Sequence, residues 1–171
     1  FSHMTVMYAN ALYKRGFVKE GYKALQTLAD TALDFNTSKI YPGIPEYFNS
    51  EGRGMYHYLT GAASWYMMTM ITEVFGVHGE AGDLVIRPKL LQKQFDENKT
   101  ASIKLNFAGK TFEVIFKNTQ DLEYGTYKIG TVTCDGEILR AEGGVQAVIG
   151  IKQIHSMDGN LHQIIAELVS S

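Results

Sequence analysis

Between Tyr41 and Trp65 the chain gathers most of what could do chemistry. Glu46, Glu51, Arg53, His57, Thr60 and Gly61 alternate there with Tyr41, Tyr47, Tyr56 and Tyr58, four of the ten tyrosines, and with the single Trp. Turn-forming Pro and Gly mark a loop, and the residues from Thr60 onward read as a helix. Rings that stack on pyranose faces, beside a few fixed acids, bases and amides, are what a sugar-binding cleft requires. Loops carried on a rigid scaffold are where such groups collect. Glu46 is open to two roles, a sugar contact or a general acid. A glycosidase sets two carboxylates across the scissile bond. Glu46 and Glu51, close together in one loop, do not display that geometry, and Glu51 reads as a solvated side chain.

Thr60-Gly61 is the sharper pair. A Thr that caps a helix leaves the amides of Gly61 and Ala62 at the positive end of the helix dipole, and Gly61 has no Cβ to obstruct an anion. Ordinary capping with close packing explains the same two residues. His3 and His57 could each bond a phosphate oxygen or serve as structural histidines. No His, Asp or Glu set has the spacing of a metal site. Met67, Met68 and Met70 read as adaptable core filling, Asp135-Gly136 as a turn rather than a catalytic acid, and Cys134 as a small apolar residue on a strand. With one cysteine there is neither an internal disulfide nor a Cys-based zinc site.

The elements that must hold these residues change character midway. The chain has 171 residues, 45% of them apolar, and a net charge of −2. That suits a packed core and lacks the basic stripe of a nucleic-acid binder. There is no secretory signal, and the charge-free run from Gly54 to Thr72 contains too many polar groups for a membrane span. A soluble, cytoplasmic protein is expected. Residues 4–14 are apolar nearly all round, as in a helix at the centre of something larger. Arg15-Gly16 ends it. Val18, Tyr22, Leu25, Ala29, Ala32 and Leu33 mark an amphipathic helix over 18–33, antiparallel to the first. A third helix runs from near Thr60 to Phe75, stopped by Gly76. Helices apolar on every side do not close a core, and a domain seldom begins inside a buried helix, so the chain is expected to be part of a longer protein. In the second half Ile103, Leu105 and Phe107, then Phe112, Val114 and Phe116, alternate with polar neighbours around an Ala108-Gly109 turn. Tyr127, Ile129 and Val132, with Ile138 beyond the Asp135-Gly136 turn, suggest another hairpin. Val145-Ala147-Ile149 and Ile164-Ala166-Leu168 supply two late strands. The reading is α+β, with helices over 1–82, an active-site loop at 41–61, and an antiparallel β-sandwich over 83–171.

Three segments resemble one family. Tyr-Pro-Gly-Ile-Pro-Glu-Tyr-Phe-Asn (41–49), Gly-Met-Tyr-His-Tyr-Leu-Thr-Gly-Ala-Ala-Ser-Trp (54–65) and Gly-Asp-Leu-Val-Ile-Arg-Pro (82–88) are similar to the C-terminal third of inverting disaccharide and oligosaccharide phosphorylases of the cellobiose and cellodextrin phosphorylase type, long grouped as a glycosyltransferase family. Phe1-Ser2-His3-Met4 resembles that family's aromatic-Ser-His segment, and the likeness extends over about residues 1–118. It implies the last helices of an α/α six-hairpin barrel followed by a small jelly-roll-like β domain. It implies reversible phosphorolysis of a β-glucoside to α-glucose 1-phosphate, with inorganic phosphate as co-substrate and no other cofactor. By the same resemblance His3, Thr60 and Gly61 contact phosphate, and Glu46 and Tyr47 lie near the acceptor sugar. The family's general-acid Asp belongs to a barrel segment before Phe1. Asp30 and Asp34 read as surface residues, so these residues alone are expected to be inactive. The partners implied are a β-linked glucosaccharide, phosphate, the rest of the barrel and a second copy of the chain in a homodimer, with neither nucleic acid nor membrane. A stand-alone carbohydrate-binding or structural module is the alternative.

Overall fold

The computed structural model describes residues 1–41, 43–56, 61–139 and 141–171, with the backbone alone for Ala141 and Glu142. Helices and strands both occur, as an α+β chain requires, and they fall into two compact units, Phe1–Glu73 and Val74–Ser171. The division comes before the expected 82/83 boundary because the segment after Gly76 pairs into the sheet of the second unit.

In the first unit α1 (Ser2–Lys14) packs against α2 (Val18–Leu33), both close to their expected bounds. The turn between them uses Gly16 at φ 82°, and Phe17 N–H donates to Leu12 O at 2.9 Å. A left-handed glycine lets the chain reverse within two residues while satisfying the last carbonyls of α1. The helices approach closely at Gly21, where a Cβ would lie 2.6 Å from the Tyr13 ring. The buried stripe of α2 therefore runs through Val18, Gly21, Leu25, Leu28 and Ala32, while the expected Leu33 is exposed. A one-turn helix, α3 (Phe35–Ser38), and a two-stranded ladder, β1 (Tyr47–Phe48) with β2 (Gly54–Met55), were not foreseen.

The third expected helix is divided. α4 (Gly61–Thr69) continues as a π-helical turn, Met70–Val74, ahead of Gly76 at φ 66°. Where the hydrogen-bond ladder of α4 ends, buried Asn10 of α1 donates from Nδ2 to Thr69 Oγ1 at 3.1 Å. This is a polar cross-tie within an otherwise apolar contact, and its burial makes it sensitive to loss of either partner. On α1, Met4 and Tyr8 are more than half exposed, and so is Phe1 beside them.

The second unit opens with the hairpin β3 (Val77–Glu80) and β4 (Asp83–Ile86). It continues through β5 (Thr100–Phe107), β6 (Lys110–Lys117), β7 (Tyr127–Cys134), β8 (Glu137–Leu139), β9 (Ala141–Glu142) and β10 (Gln146–Ile149). The short α5 (Ile151–Ser156) then leads into β11 (Leu161–Ser170). Two sheets result, ordered β3-β4-β10-β9 and β5-β6-β11-β7-β8. The expected Ala108-Gly109 and Asp135-Gly136 turns are present, both residues of each at positive φ, the arrangement whose twist suits a two-residue hairpin.

The wholly antiparallel arrangement expected for this half needs correction. β11 runs parallel to β6 and antiparallel to β7, so the larger sheet is mixed. Parallel neighbours need a long connection, and the chain from β7 through α5 supplies it. Phe112, Val114 and Phe116 of β6 join Ile164, Ala166 and Leu168 of β11 and Val132 of β7 in the buried core. The phase slip between Ile129 and Val132 is a β-bulge: Val132 pairs with Ala166, and Ile129 with Leu168. Gly130 fits under Val169, whose Cγ1 would lie 2.9 Å from an added Cβ. Among the described residues no helix is long and apolar enough to cross a membrane.

Candidate functional site

The residues singled out in the first unit converge at the start of α1. Ser2 N–H donates to Glu46 O at 2.7 Å, and Glu46 N–H donates to Tyr56 O at 2.9 Å. Glu46 is thus fixed on both sides of its backbone, between the N-terminal turn of α1 and the end of β2. Its side chain reaches His3, with Oε1 3.7 Å from Nδ1. On another side of the imidazole stands Trp65 of α4, ring centroids 6.0 Å apart and tilted by 49°. Gly61, the first residue of α4, closes the cluster: a Cβ there would come within 2.7 Å of His3 Cε1 and 2.8 Å of Nδ1. Any other residue would displace the ring, which gives this glycine a reason independent of backbone freedom.

Tyr47 follows Glu46 into β1 and packs its ring against Phe1, centroids 5.5 Å apart. The loop between β1 and β2 is held by Asn49, whose Oδ1 accepts from Glu51 N–H at 3.0 Å and Arg53 N–H at 2.9 Å. This Asx arrangement turns Glu51 and Arg53 outward, and both are exposed. Tyr56, on the far side, adopts φ 56° and is exposed. A bulky residue there carries strain of the kind that collects at functional positions.

Of the expected site residues, His3, Glu46 and Gly61 meet directly, and Tyr47 adjoins them on the Phe1 side. Thr60, expected to contact phosphate, lies outside the described residues, as does His57. Among the described residues, His3 Nε2 is buried and has no hydrogen-bond partner, as is true of Ser2 Oγ beside it. A buried polar atom without a partner costs about 1–3 kcal/mol, a cost that a bound oxygen at that position removes. The cluster can orient one imidazole between a carboxylate and the amide end of a helix. That suits holding an anion or a hydroxyl. Among the described residues Glu46 is the acid of the cluster, and Glu51 is exposed.

A second polar pair, in the second unit, escaped the sequence reading. Asp135 is the expected turn residue, yet its Oδ2 lies 2.7 Å from Nδ1 of His162 and its Oδ1 accepts from Gln163 N–H at 2.8 Å. The Gln163 amide and the imidazole hold the Asp135 carboxyl below the usual carboxylate range. His162 itself is buried at the start of β11, beside Phe112. No local spacing announces this pair, because it depends on β7 and β11 being neighbours. Cys134 is buried beside it, as expected, and burial raises its thiol to about 11. Among the described residues no three or more His, Cys, Asp or Glu side chains are grouped to hold a metal ion. Compared with models of known protein families and with curated proteins, the chain matches none.

Proposed function

We propose that this chain carries the phosphate side and part of the sugar side of an inverting glycoside phosphorylase. The reaction is the reversible phosphorolysis of a β-linked glucosaccharide to α-glucose 1-phosphate. The observation that carries the reading is the meeting of His3 with Glu46 and Gly61, three residues far apart in sequence. In this mechanism phosphate takes the place of the water in an inverting glycosidase and attacks the anomeric carbon from the face opposite the leaving sugar. One carboxylic acid protonates the departing oxygen. Because phosphate is itself the nucleophile, the second carboxylate gives way to a cradle for negative charge. Here that cradle would be His3 with Gly61 at the start of α4, joined by Thr60 as the resemblance implies, and Glu46 and Tyr47 would border the acceptor sugar.

The reading requires a general acid from outside these 171 residues, on further helices of an α/α barrel. The uncovered Met4 and Tyr8 on α1 supply an apolar surface for such helices. The second unit would then be the small jelly-roll-like domain, and a cytoplasmic location goes with the substrate class. The exposed rings of Tyr41 and Tyr56 favour a second reading, a carbohydrate-binding module without chemistry. One assay separates the two. The full-length protein, given β-linked glucosaccharides, should release α-glucose 1-phosphate only when phosphate is present. Sugar binding without any phosphate-dependent product would eliminate the phosphorylase and leave the module.

A further inference from the structure

We propose that Glu46 is a positioning residue for His3: its carboxylate holds the imidazole with Nδ1–H toward Glu46 and Nε2 toward an oxygen of the bound phosphate. The inference rests on the phosphate-site reading above and gives Glu46 a task apart from any sugar contact. The backbone of Glu46 is fastened to Ser2, the neighbour of His3, and to Tyr56, so its side chain is delivered to the ring rather than meeting it by chance. Among the described residues, three elements face the imidazole: the loop before β1 through Glu46, α4 through Gly61 and Trp65, and α1 through its own backbone. Among the charged side chains described, Glu46 is the one brought within ion-pair distance of His3. Of the two ring nitrogens, Nδ1 has that carboxylate and Nε2 is buried without a partner.

Electrostatics explains why a carboxylate belongs beside a phosphate site. Glu46 and a phosphate would repel if they touched. With the imidazole between them, one nitrogen donates to each, and the cation is shared by two anions. The Nδ1 to Oε1 separation of 3.7 Å is an ion-pair distance, longer than a direct hydrogen bond. Hydrogen bonds at such sites are often long in the free protein and tighten only once the ligand is bound. Ring orientation is set by the hydrogen bond that the other nitrogen makes. Removing the carboxylate therefore frees the ring to rotate against Trp65.

The test uses the full-length protein, labelled with 15N, and inorganic phosphate as the probe. Phosphate is titrated while the His3 ring nitrogens are followed by NMR, and the KM values for phosphate and for the sugar are measured separately. Glu46→Gln should weaken phosphate about tenfold, the loss of one charge-assisted contact. It should also change the His3 15N pattern and raise the phosphate KM by a larger factor than the sugar KM. Glu46→Asp, which keeps the charge, should recover part of the affinity. Melting curves on each variant separate a binding loss from unfolding. Phosphate affinity unchanged in Glu46→Gln, a rise confined to the sugar KM, or an Asp variant as weak as Gln would each overturn the assignment. A wild-type protein that binds phosphate through His3 without phosphorolysis would refute the reaction proposed above, while the Glu46 comparison would still decide this inference.

Discussion

Substituting Gly61 by Ala tests the cluster most directly, because the structure states what one methyl would meet. The new Cβ would sit 2.7 Å from His3 Cε1 and 2.8 Å from Nδ1, whereas unstrained carbon contacts lie at about 3.5–4.0 Å. The imidazole must therefore retreat by roughly 1 Å, the difference between those separations. It has little room to do so, with Trp65 on one side and Glu46 on another. Overpacking of this kind costs about 1–3 kcal/mol, and the greater helix propensity of Ala returns up to about 1 kcal/mol. Stability should fall by about 0–3 kcal/mol. Phosphate binding should suffer as well. A lost charge-assisted hydrogen bond is worth about 1.5–3 kcal/mol, which is about 10- to 150-fold in dissociation constant.

The assay is phosphate titration alongside thermal melting, with Ser64→Ala as the control. Ser64 is exposed on the same helix, so it changes propensity without entering the cluster. The expected result is Gly61→Ala weak in phosphate and lower in Tm, with Ser64→Ala unchanged in both. A Gly61→Ala protein that binds phosphate as wild type does, with an unshifted His3 resonance, would refute the argument. The ring would then have moved freely, and its placement could not matter.

Gly76 makes a harsher case. At φ 66° its missing Cβ faces the carbonyl of Arg87, backbone against backbone, so Gly76→Ala should cost more than about 3 kcal/mol by strain and clash together. Gly82, also at positive φ but with open space around it, should cost only about 1 kcal/mol as Ala; equal losses in urea unfolding would contradict the geometry. Burial keeps the Cys134 thiol protonated, with its ionisation raised to about 11, so iodoacetamide at pH 8 should label the folded protein far more slowly than the urea-unfolded one; equal rates would show that the strand opens readily. Asp135 ionises more easily folded than unfolded, so the stability it contributes is present above the unfolded value of about 4 and is lost as pH falls through the lower folded value. Acid unfolding of Asp135→Asn should accordingly be less steep below pH 4 than that of wild type, and superimposable curves would remove Asp135 from the account.

How much of this was legible in sequence depends on the range of the interactions involved. α1 and α2 are local objects, set by period and by Gly16, and they appear where the spacing puts them. The β5–β6 and β7–β8 hairpins are equally local, since two residues fix each turn and its register. The parallel pairing of β11 with β6 is not local, and nothing in either strand declares its direction. The bulge was partly visible, because Ile129 and Val132 break the alternation by one residue, yet only the pairing with Leu168 and Ala166 explains why. The π-helical turn at Met70–Val74 left no sign in a run that reads as uninterrupted helix.

The site divides the same way. Composition marked the loop because rings, acids and turn residues are unevenly spread along the chain, and it named Glu46 and Gly61 within it. It could not say that Glu46 faces a histidine rather than open solvent. That fact depends on Ser2 bonding to Glu46 O, a contact between the start of α1 and a loop beyond α3. Nor does sequence alone distinguish Gly61 as a helix start from Gly61 as the space in which His3 fits. Both missing facts concern His3, a residue that by itself is an ordinary histidine near a helix end. One of its nitrogens has a carboxylate, and among the described residues the other is buried with nothing to bond. His78 and His162 share that pattern, one nitrogen beside a carboxylate and the other buried without a partner, so the pattern alone does not set His3 apart. What sets His3 apart is its setting: a glycine at the first residue of α4 leaves room for its ring, and Trp65 and Glu46 flank it.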